Sequence, residues 1–216
     1  MGLMHDPEYR ATTFVVIDFE ATTPKGYRPE PIEVAALAVR DPGDGLAQVG
    51  AFTEVIQPPA HAPITSRDTA ENGLRPADVA SARPAGPVLA DLDAWLTAPP
   101  YLLVAHNAHV EAGLIYDYRE HCPGLAAIPL IDTVKLAKAT KPGLLSYGLD
   151  HLLVQLSIPR PPDRHRAMPD VRATATVFRC LMTCADQSGL YQDMRALTSA
   201  VALAPRATMP RQDTLF

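Results

Sequence analysis

Cysteine is scarce in this 216-residue sequence and follows no recognisable spacing. The three cysteines, Cys122, Cys180 and Cys184, are an odd number and contain no C-x-x-C pair. A disulfide framework needs paired cysteines and a structural zinc site needs closely spaced thiolates, so neither is expected. The cysteine content therefore favours a protein of the reducing cytoplasm.

The sequence also lacks a long apolar run. None approaches the ~18 apolar residues of a membrane-spanning helix. The first ten residues carry histidine, aspartate, proline, glutamate and arginine where an export signal would be apolar. We therefore expect a soluble protein that is not exported.

Positive charge is in the minority, with 19 lysines and arginines against 24 aspartates and glutamates and a net charge of -5. This balance argues against a generally basic surface that coats nucleic acid. It does not exclude a nucleic-acid substrate, because a metal ion in an acidic site binds phosphate while basic residues act locally.

The remaining totals are those of an ordinary globular protein. Hydrophobic residues make up 47% and charged residues 20%, and the length suits one domain with no internal repeat. We expect an N-terminal extension over residues 1–12, a domain over residues 13–204 and a flexible tail over residues 205–216.

The stretch Thr-Phe-Val-Val-Ile-Asp-Phe-Glu at residues 13–20 is the most informative in the chain. The run from Phe14 to Ile17 predicts a strand buried on both faces, with Asp18 and Glu20 at its end. Residues two apart in a strand point the same way, so the two carboxylates would lie together. Like charges so placed repel, and a bound cation would explain them. A solvated strand end is the alternative that this stretch alone leaves open.

Apolar periodicity predicts the other elements. Further strands are expected at residues 32–39, 47–56, 102–105 and 130–132. Helices are expected at about residues 88–96, 111–120, 134–139, 146–156, 169–184 and 190–203. Three early strands followed by alternating helices and strands predict the α/β class, with a mixed five-stranded sheet, three antiparallel leading strands and flanking helices.

Acidic residues and a histidine recur in three separated segments. They are Ile17-Asp18-Phe19-Glu20-Ala21-Thr22, then Ala105-His106-Asn107-Ala108 with Glu111, and then His165 to Asp170, in which the histidine and aspartate lie five apart. In this order the segments resemble the DEDDh exonucleases of the ribonuclease H-like superfamily, which include the proofreading subunit of bacterial DNA polymerase III and ribonuclease T. The resemblance covers residues 13–184 and implies a ribonuclease H-like fold.

The resemblance also implies a reaction. We expect a metal-dependent 3'-5' exonuclease that releases 5'-mononucleotides from single-stranded ends of DNA or RNA. Asp18, Glu20 and Asp170 would hold one divalent cation, and Asp18 with Glu111 a second. Such hard oxygen ligands imply two Mg²⁺ or Mn²⁺ ions. His165 would act as the general base near neutral pH.

Substrate contacts are implied by position alone. Main-chain groups of Ala21 and Thr22 would meet the terminal 3' hydroxyl, and Leu74 would pack on the last base. Asn107 is expected to support the substrate loop and Arg166 to contact phosphate. A solvated charge is an equally good account of any one arginine in this region.

Two departures from the family pattern keep alternatives open. Glu111 stands where the family usually has aspartate, which preserves the charge but lengthens the side chain by one methylene. We expect altered metal affinity or rate, and the competing hypothesis is a non-catalytic module that binds nucleic acid or the replisome. The Ala21-Thr22 loop is similar to that of RNA-trimming members, so an exoribonuclease is a further alternative.

The last five residues form a separate motif. Gln212-Asp213-Thr214-Leu215-Phe216 resembles the Q-x-x-L-F peptide by which bacterial replication and repair proteins dock on the sliding clamp. Two apolar side chains at the end of a polar segment can anchor in a pocket of a partner protein. Gln212, Leu215 and Phe216 are therefore the expected partner contacts. A disordered tail, or one folded on its own domain, is the alternative.

Overall fold

The computed structural model describes residues 2–43, 45–162 and 164–205. Its strands are β1 (Thr13–Thr22), β2 (Glu30–Arg40), β3 (Ala47–Gln57), β4 (Arg83–Pro84), β5 (Tyr101–Ala105), β6 (Leu130–Asp132) and β7 (Ala202–Leu203). A short 3-10 helix, Leu3–His5, precedes the α-helices α1 (Pro7–Ala11), α2 (Ser66–Asn72), α3 (Pro76–Val79), α4 (Ala85–Trp95), α5 (His109–Asp117), α6 (Pro123–Ala126), α7 (Thr133–Thr140), α8 (Leu149–Gln155), α9 (Ala167–Gln187) and α10 (Met194–Val201).

One mixed sheet organises these elements, in the strand order β4-β3-β2-β1-β5-β6-β7. The first three strands are antiparallel neighbours, whereas β5 is parallel to both β1 and β6. The predicted mixed sheet with three antiparallel leading strands is therefore confirmed. The structure adds β4 and β7 at the two edges, and each has only two residues, too few to show an alternating pattern.

Helices cover both faces of the central strand β1. Phe14 and Val16 belong to the apolar cluster that includes Val177 and Phe178 of α9. Val15 and Ile17 belong to a second cluster with residues of α4 and α5. Each of these β1 side chains is at most 1% exposed, and burying one such side chain stabilises the fold by about 1.5 to 3 kcal/mol. The alternation also turns Asp18 and Glu20 toward α9.

Two helices begin later than their sequence patterns predict. The sequence pattern predicts a helix from about residue 146, but the hydroxyl of Ser146 accepts the N–H of Gly148 at 3.2 Å and forms a turn, so α8 begins at Leu149. The last helix begins at Met194 because Asp193 caps it by accepting the N–H of Ala196 at 2.7 Å. Among the helices of the described residues, none has the length and apolar character needed to cross a bilayer.

The chain before β1 packs on the domain. Leu3 and Tyr9 are fully buried in the same cluster as Phe14. The Asp6 carboxylate accepts the N–H of Met194 at 2.7 Å and so ties this segment to α10. The segment before residue 13, expected to be an N-terminal extension, therefore packs against the same apolar cluster as β1. Residues 206–216 of the expected tail lie outside the described residues.

Candidate active site

Three predicted ligands meet where β1 ends and α9 begins. One carboxylate oxygen from each of Asp18, Glu20 and Asp170 lies within 4.8 Å of the other two. The strand brings the first two to one face, and that face packs against the first turn of α9, where Asp170 lies. The dipole of α9 favours a negative charge at this end of the helix. Sequence positions about 150 residues apart therefore form one acidic cluster.

The backbone is irregular beside this cluster. Glu20 pairs with Glu33 of β2 but Ala21 pairs with Pro31, so Ile32 is an extra residue opposite the Glu20–Ala21 step. Such a bulge bends the strand and re-aims its side chains. The pairing of β1 with β2 ends at Thr22, two residues after Glu20.

Glu111, the fourth predicted ligand, lies in the first turn of α5 and is 4% exposed. It is outside the cluster of Asp18, Glu20 and Asp170. Among the neighbouring charges, however, that of Glu111 raises the pKa of Asp18 the most. Within the described residues its Oε2 atom is buried without a hydrogen-bond partner. A buried carboxylate oxygen without a partner is unfavourable unless a cation binds it, so the residue fits the expected metal site.

The acidic crowding changes the protonation of Asp18. Burial, followed by the charges of Glu111, Glu20 and Asp170, raises the pKa of Asp18 well above its usual value, and the charge of Arg164 opposes this shift. Burial is also the main reason that the pKa of Glu111 is raised to about 8. Without a cation, this site therefore holds protons that ordinary carboxylic acids would release.

The pKa of Glu20 is also raised. Burial, then the charges of Asp170 and Glu33, raises its pKa to about 8, while a hydrogen bond from the Asn72 side chain opposes the shift. Metal binding requires the deprotonated carboxylate, so a cation bound here would release protons.

His165 is exposed and lies two residues before α9. Its backbone has a φ of 68°, in the left-handed region that non-glycine residues adopt at a cost. It makes no hydrogen bond within the described part of the chain. Its charge is among those that lower the pKa of Asp150, after the hydrogen bond and the charge of Arg164 and the charge of Arg160. Among the described residues, His165 is not a member of the cluster formed by Asp18, Glu20 and Asp170.

The two arginines that flank His165 are both held by carboxylates. Arg164 donates from Nε to Asp150 at 2.7 Å, and its Nη1 contacts Asp170. Arg166 donates to both oxygens of Glu33, at 2.9 and 2.7 Å. Two nitrogens of Arg166 already donate to Glu33. The expected contact of Arg166 with phosphate therefore stays a prediction.

Sequence reasoning missed Glu33. Its carboxylate is buried and also accepts the N–H of Ala167, the first residue of α9, at 3.1 Å. It thereby fastens the start of α9 to β2, directly beside Glu20. The available signal was a single glutamate within the otherwise apolar run from Ile32 to Val39, a position that a charged residue occupies only with a partner.

An open cleft passes the cluster. It is lined by Asp18, His106, Asn107, Val134, Lys138, Leu145, Ser146, Tyr147, Gly148, Leu149, Arg164 and Asp170. Asn107, a predicted substrate residue, is exposed and adopts a φ of 63°. Leu145 is 99% exposed at this cleft. Its loop is braced by the Tyr147 hydroxyl, which donates to the carbonyl of Lys141 at 3.0 Å and accepts the N–H of Leu144 at 3.3 Å.

The other predicted substrate residues lie deeper. Thr22 is buried and its hydroxyl donates to the carbonyl of Ala62 at 3.2 Å, while Ala21 is partly buried. Leu74 is 2% exposed within a small apolar cluster, so a base contact requires it to become accessible and stays a prediction. The predicted partner residues Gln212, Leu215 and Phe216 lie outside the described part of the chain.

Comparison with known proteins supports an exonuclease. The family model named RNase T, described as "Exonuclease", matches residues 15–178. The DNA polymerase III PolC-type protein of Thermotoga petrophila is 31% identical over 178 residues, which is 82% of this chain. Those residues are only 12% of the polymerase, so the chain spans a small part of the relatives that it matches.

Solved structures show the same fold. The nuclease domain of 3'hExo, a DEDDh family member bound to rAMP, gives a TM-score of 0.71 at 17% identity and covers 84% of this chain and 96% of that one. Exonuclease X in complex with 5' overhanging duplex DNA gives a TM-score of 0.61 at 24% identity, covering 87% and 98%.

Proposed function

The chain belongs to the RNase T family of exonucleases, and from this premise we propose that it removes 5'-mononucleotides from single-stranded 3' ends of DNA. The family assignment makes it a 3'-5' exonuclease, and so a phosphodiester hydrolase, of the DEDD type. The observation that carries the proposal is the cluster of Asp18, Glu20 and Asp170, together with the buried Oε2 atom of Glu111, which has no hydrogen-bond partner among the described residues.

The donor set suits two hard divalent cations, Mg²⁺ or Mn²⁺. Asp18, Glu20 and Asp170 would hold one, and Asp18 with Glu111 the other. Such ions, when bound, supply positive charge to the attacking and leaving oxygens of the phosphodiester. Carboxylate oxygens of Asp18, Glu20 and Asp170 already lie within 4.8 Å of one another, so these three side chains need little rearrangement to bind an ion.

His165 would accept the proton of the attacking water at a ring nitrogen. Its exposed position means that the segment before α9 must move to bring the ring to the cluster. The left-handed backbone at His165 is consistent with a residue whose conformation changes during the reaction cycle. Asn107 and Lys138, which line the same cleft, would contact the bound strand.

The choice of DNA over RNA rests on relatives. A 31% identical protein is named as a DNA polymerase, whereas the structural neighbours include proteins with RNA and with DNA ligands. An RNA-trimming exoribonuclease is therefore the second candidate. A non-catalytic binding module is disfavoured because four carboxylates and the histidine are all present.

A substrate panel tests this proposal. End-labelled single-stranded DNA and RNA of several lengths would be incubated with Mg²⁺ or Mn²⁺, and the products separated by size. We expect mononucleotides from DNA, and none from the Asp18→Ala protein. Equal release by Asp18→Ala would contradict the active site, whereas release from RNA alone would reassign the substrate.

We further propose a cytoplasmic protein that docks on a sliding clamp through Gln212, Leu215 and Phe216. The support is the sequence of the last five residues. Binding to the purified clamp would be compared for the full chain and for a chain that ends at Arg211. Equal binding by the two proteins would refute the docking role without affecting the proposed exonuclease.

A further inference from the structure

Arg164 lies inside the proposed active site. Its side chain is 10% exposed, and so is that of Asp170, the carboxylate that its Nη1 atom contacts. Both contacting atoms, Nη1 of Arg164 and Oδ1 of Asp170, are fully buried, and neither has another hydrogen-bond partner among the described residues. The guanidinium therefore neutralises an acidic side chain that is also a proposed metal ligand.

A divalent cation and a guanidinium compete when they need the same carboxylate oxygen. We propose that Arg164 is a positioning residue that occupies Asp170 until a divalent cation takes its place, and that this exchange releases the adjacent His165 toward the cluster. The inference rests on the proposed function, because it assumes that Asp170 is a metal ligand. It assigns to Arg164 a role that differs from direct contact with the nucleic-acid backbone.

The surroundings of Arg164 make the exchange feasible. Its Nε atom donates to Asp150 at 2.7 Å, and the side chain of Asp150 is 44% exposed at the start of α8. When Asp170 is withdrawn, Arg164 keeps this second carboxylate. Its charge is then still paired, which avoids the large penalty of leaving a buried charge alone.

The other side of His165 is fixed. Arg166 and the N–H of Ala167 are both held by the buried carboxylate of Glu33. Movement of the segment is therefore confined to the residues before Arg166. His165, with its φ of 68°, lies between the fixed end and the exchangeable contact of Arg164, so release of Arg164 would reorient the histidine first.

Manganese affinity tests the competition directly. Mn²⁺ would be titrated calorimetrically into the parent protein and into Arg164→Gln, Arg164→Lys and Arg160→Gln. Arg160 is the matched control, because it also pairs with Asp150, at 3.0 Å, but its side chain is 60% exposed. Among the ion pairs of the described residues, Arg160 forms none with Asp170. We expect Arg164→Gln to bind Mn²⁺ about tenfold more tightly, since the ion no longer displaces a charge-assisted contact. Arg160→Gln and the charge-conserving Arg164→Lys should stay close to the parent.

The direction of the change separates this role from a merely structural one. Damage to the fold by Arg164→Gln would weaken Mn²⁺ binding, so weaker or unchanged binding would overturn the inference. Thermal unfolding gives a second readout. The variant should lose stability in EDTA, where the buried Asp170 carboxylate then lacks its guanidinium partner, and should recover most of it with Mn²⁺. An equal loss under both conditions would also overturn the inference.

The outcomes distinguish this inference from the proposed function. If the parent protein binds Mn²⁺ and degrades single-stranded DNA but Arg164→Gln shows no tighter binding, only the role of Arg164 is wrong. If the parent binds no Mn²⁺ at all, the proposed metal site is wrong and the competition with it.

Discussion

Replacing Glu111 by glutamine should stabilise the metal-free protein near neutral pH. The folded chain raises the pKa of Glu111 from 4.5 to about 8, chiefly through burial. Between these two values the folded state binds a proton that the unfolded state releases. Stability therefore falls as pH rises through this window, and it is highest below pH 4.5, where both states are protonated.

The size of this effect follows from the two pKa values. At pH 7 the protonation of Glu111 opposes folding by about 3 kcal/mol, and at pH 5 by less than about 1 kcal/mol. Glutamine removes this penalty but buries an amide that needs hydrogen-bond partners, at a cost of about 1 to 2 kcal/mol. A net gain of about 1 to 2 kcal/mol at pH 7 remains, or ~2 to 8 °C in Tm for a chain of this length.

The measurement is thermal unfolding in EDTA at pH 7 and pH 5, for the parent, Glu111→Gln and the exposed control Glu120→Gln. We expect a higher Tm for Glu111→Gln at pH 7, no gain at pH 5, and no pH-dependent gain for Glu120→Gln. Saturating Mg²⁺ should reverse the order, because the parent alone keeps all four ligands. A gain as large at pH 5 as at pH 7 would refute the electrostatic reasoning.

Three further outcomes are expected. Glu33→Gln should lower kcat roughly tenfold with little change in KM, because it weakens the Arg166 contact that positions the start of α9; an unchanged kcat in steady-state assays would contradict this. Leu145 is almost fully exposed at the cleft, so we expect it to pack on a base of the bound strand, and Leu145→Ser should raise KM for oligonucleotides. Val154 is exposed outside the cleft lining, so Val154→Ser should leave KM unchanged. Equal KM values for the two variants would exclude the contact at Leu145. Burial raises the pKa of Cys122 to about 12, so this thiol should react with a thiol reagent only after unfolding, and rapid labelling of the native protein at Cys122 would show that it is accessible.

Local sequence was sufficient to predict the part of the site that the strand β1 positions. The apolar run from Phe14 to Ile17 identifies a buried strand, and the spacing of Asp18 and Glu20 places both on one face. Asp170 joins them in the structure because that face packs against α9. Periodicity also located the five longer strands, since each has enough residues to show its pattern.

The contacts of the arginines were not predictable in the same way. Arg164, Arg166 and their carboxylate partners are brought together by the packing of β2, α8 and α9, and an arginine in a loop has the same sequence signature whether it faces solvent or an acid. The edge strand β7 was missed for a related reason, because its two residues are defined only by pairing with β6. Such features depend on the tertiary arrangement and not on local preference.

The alternation of side chains along β1 makes the hydrophobic core and the proposed catalytic centre depend on one register. Val15 and Ile17 face one helical layer, while Val16, Asp18 and Glu20 face the other. Deleting a single residue between Phe14 and Ile17 would turn both carboxylates toward the layer formed by α4 and α5 and bury them among apolar side chains. This strand should therefore tolerate substitutions of similar size far better than any change in its length.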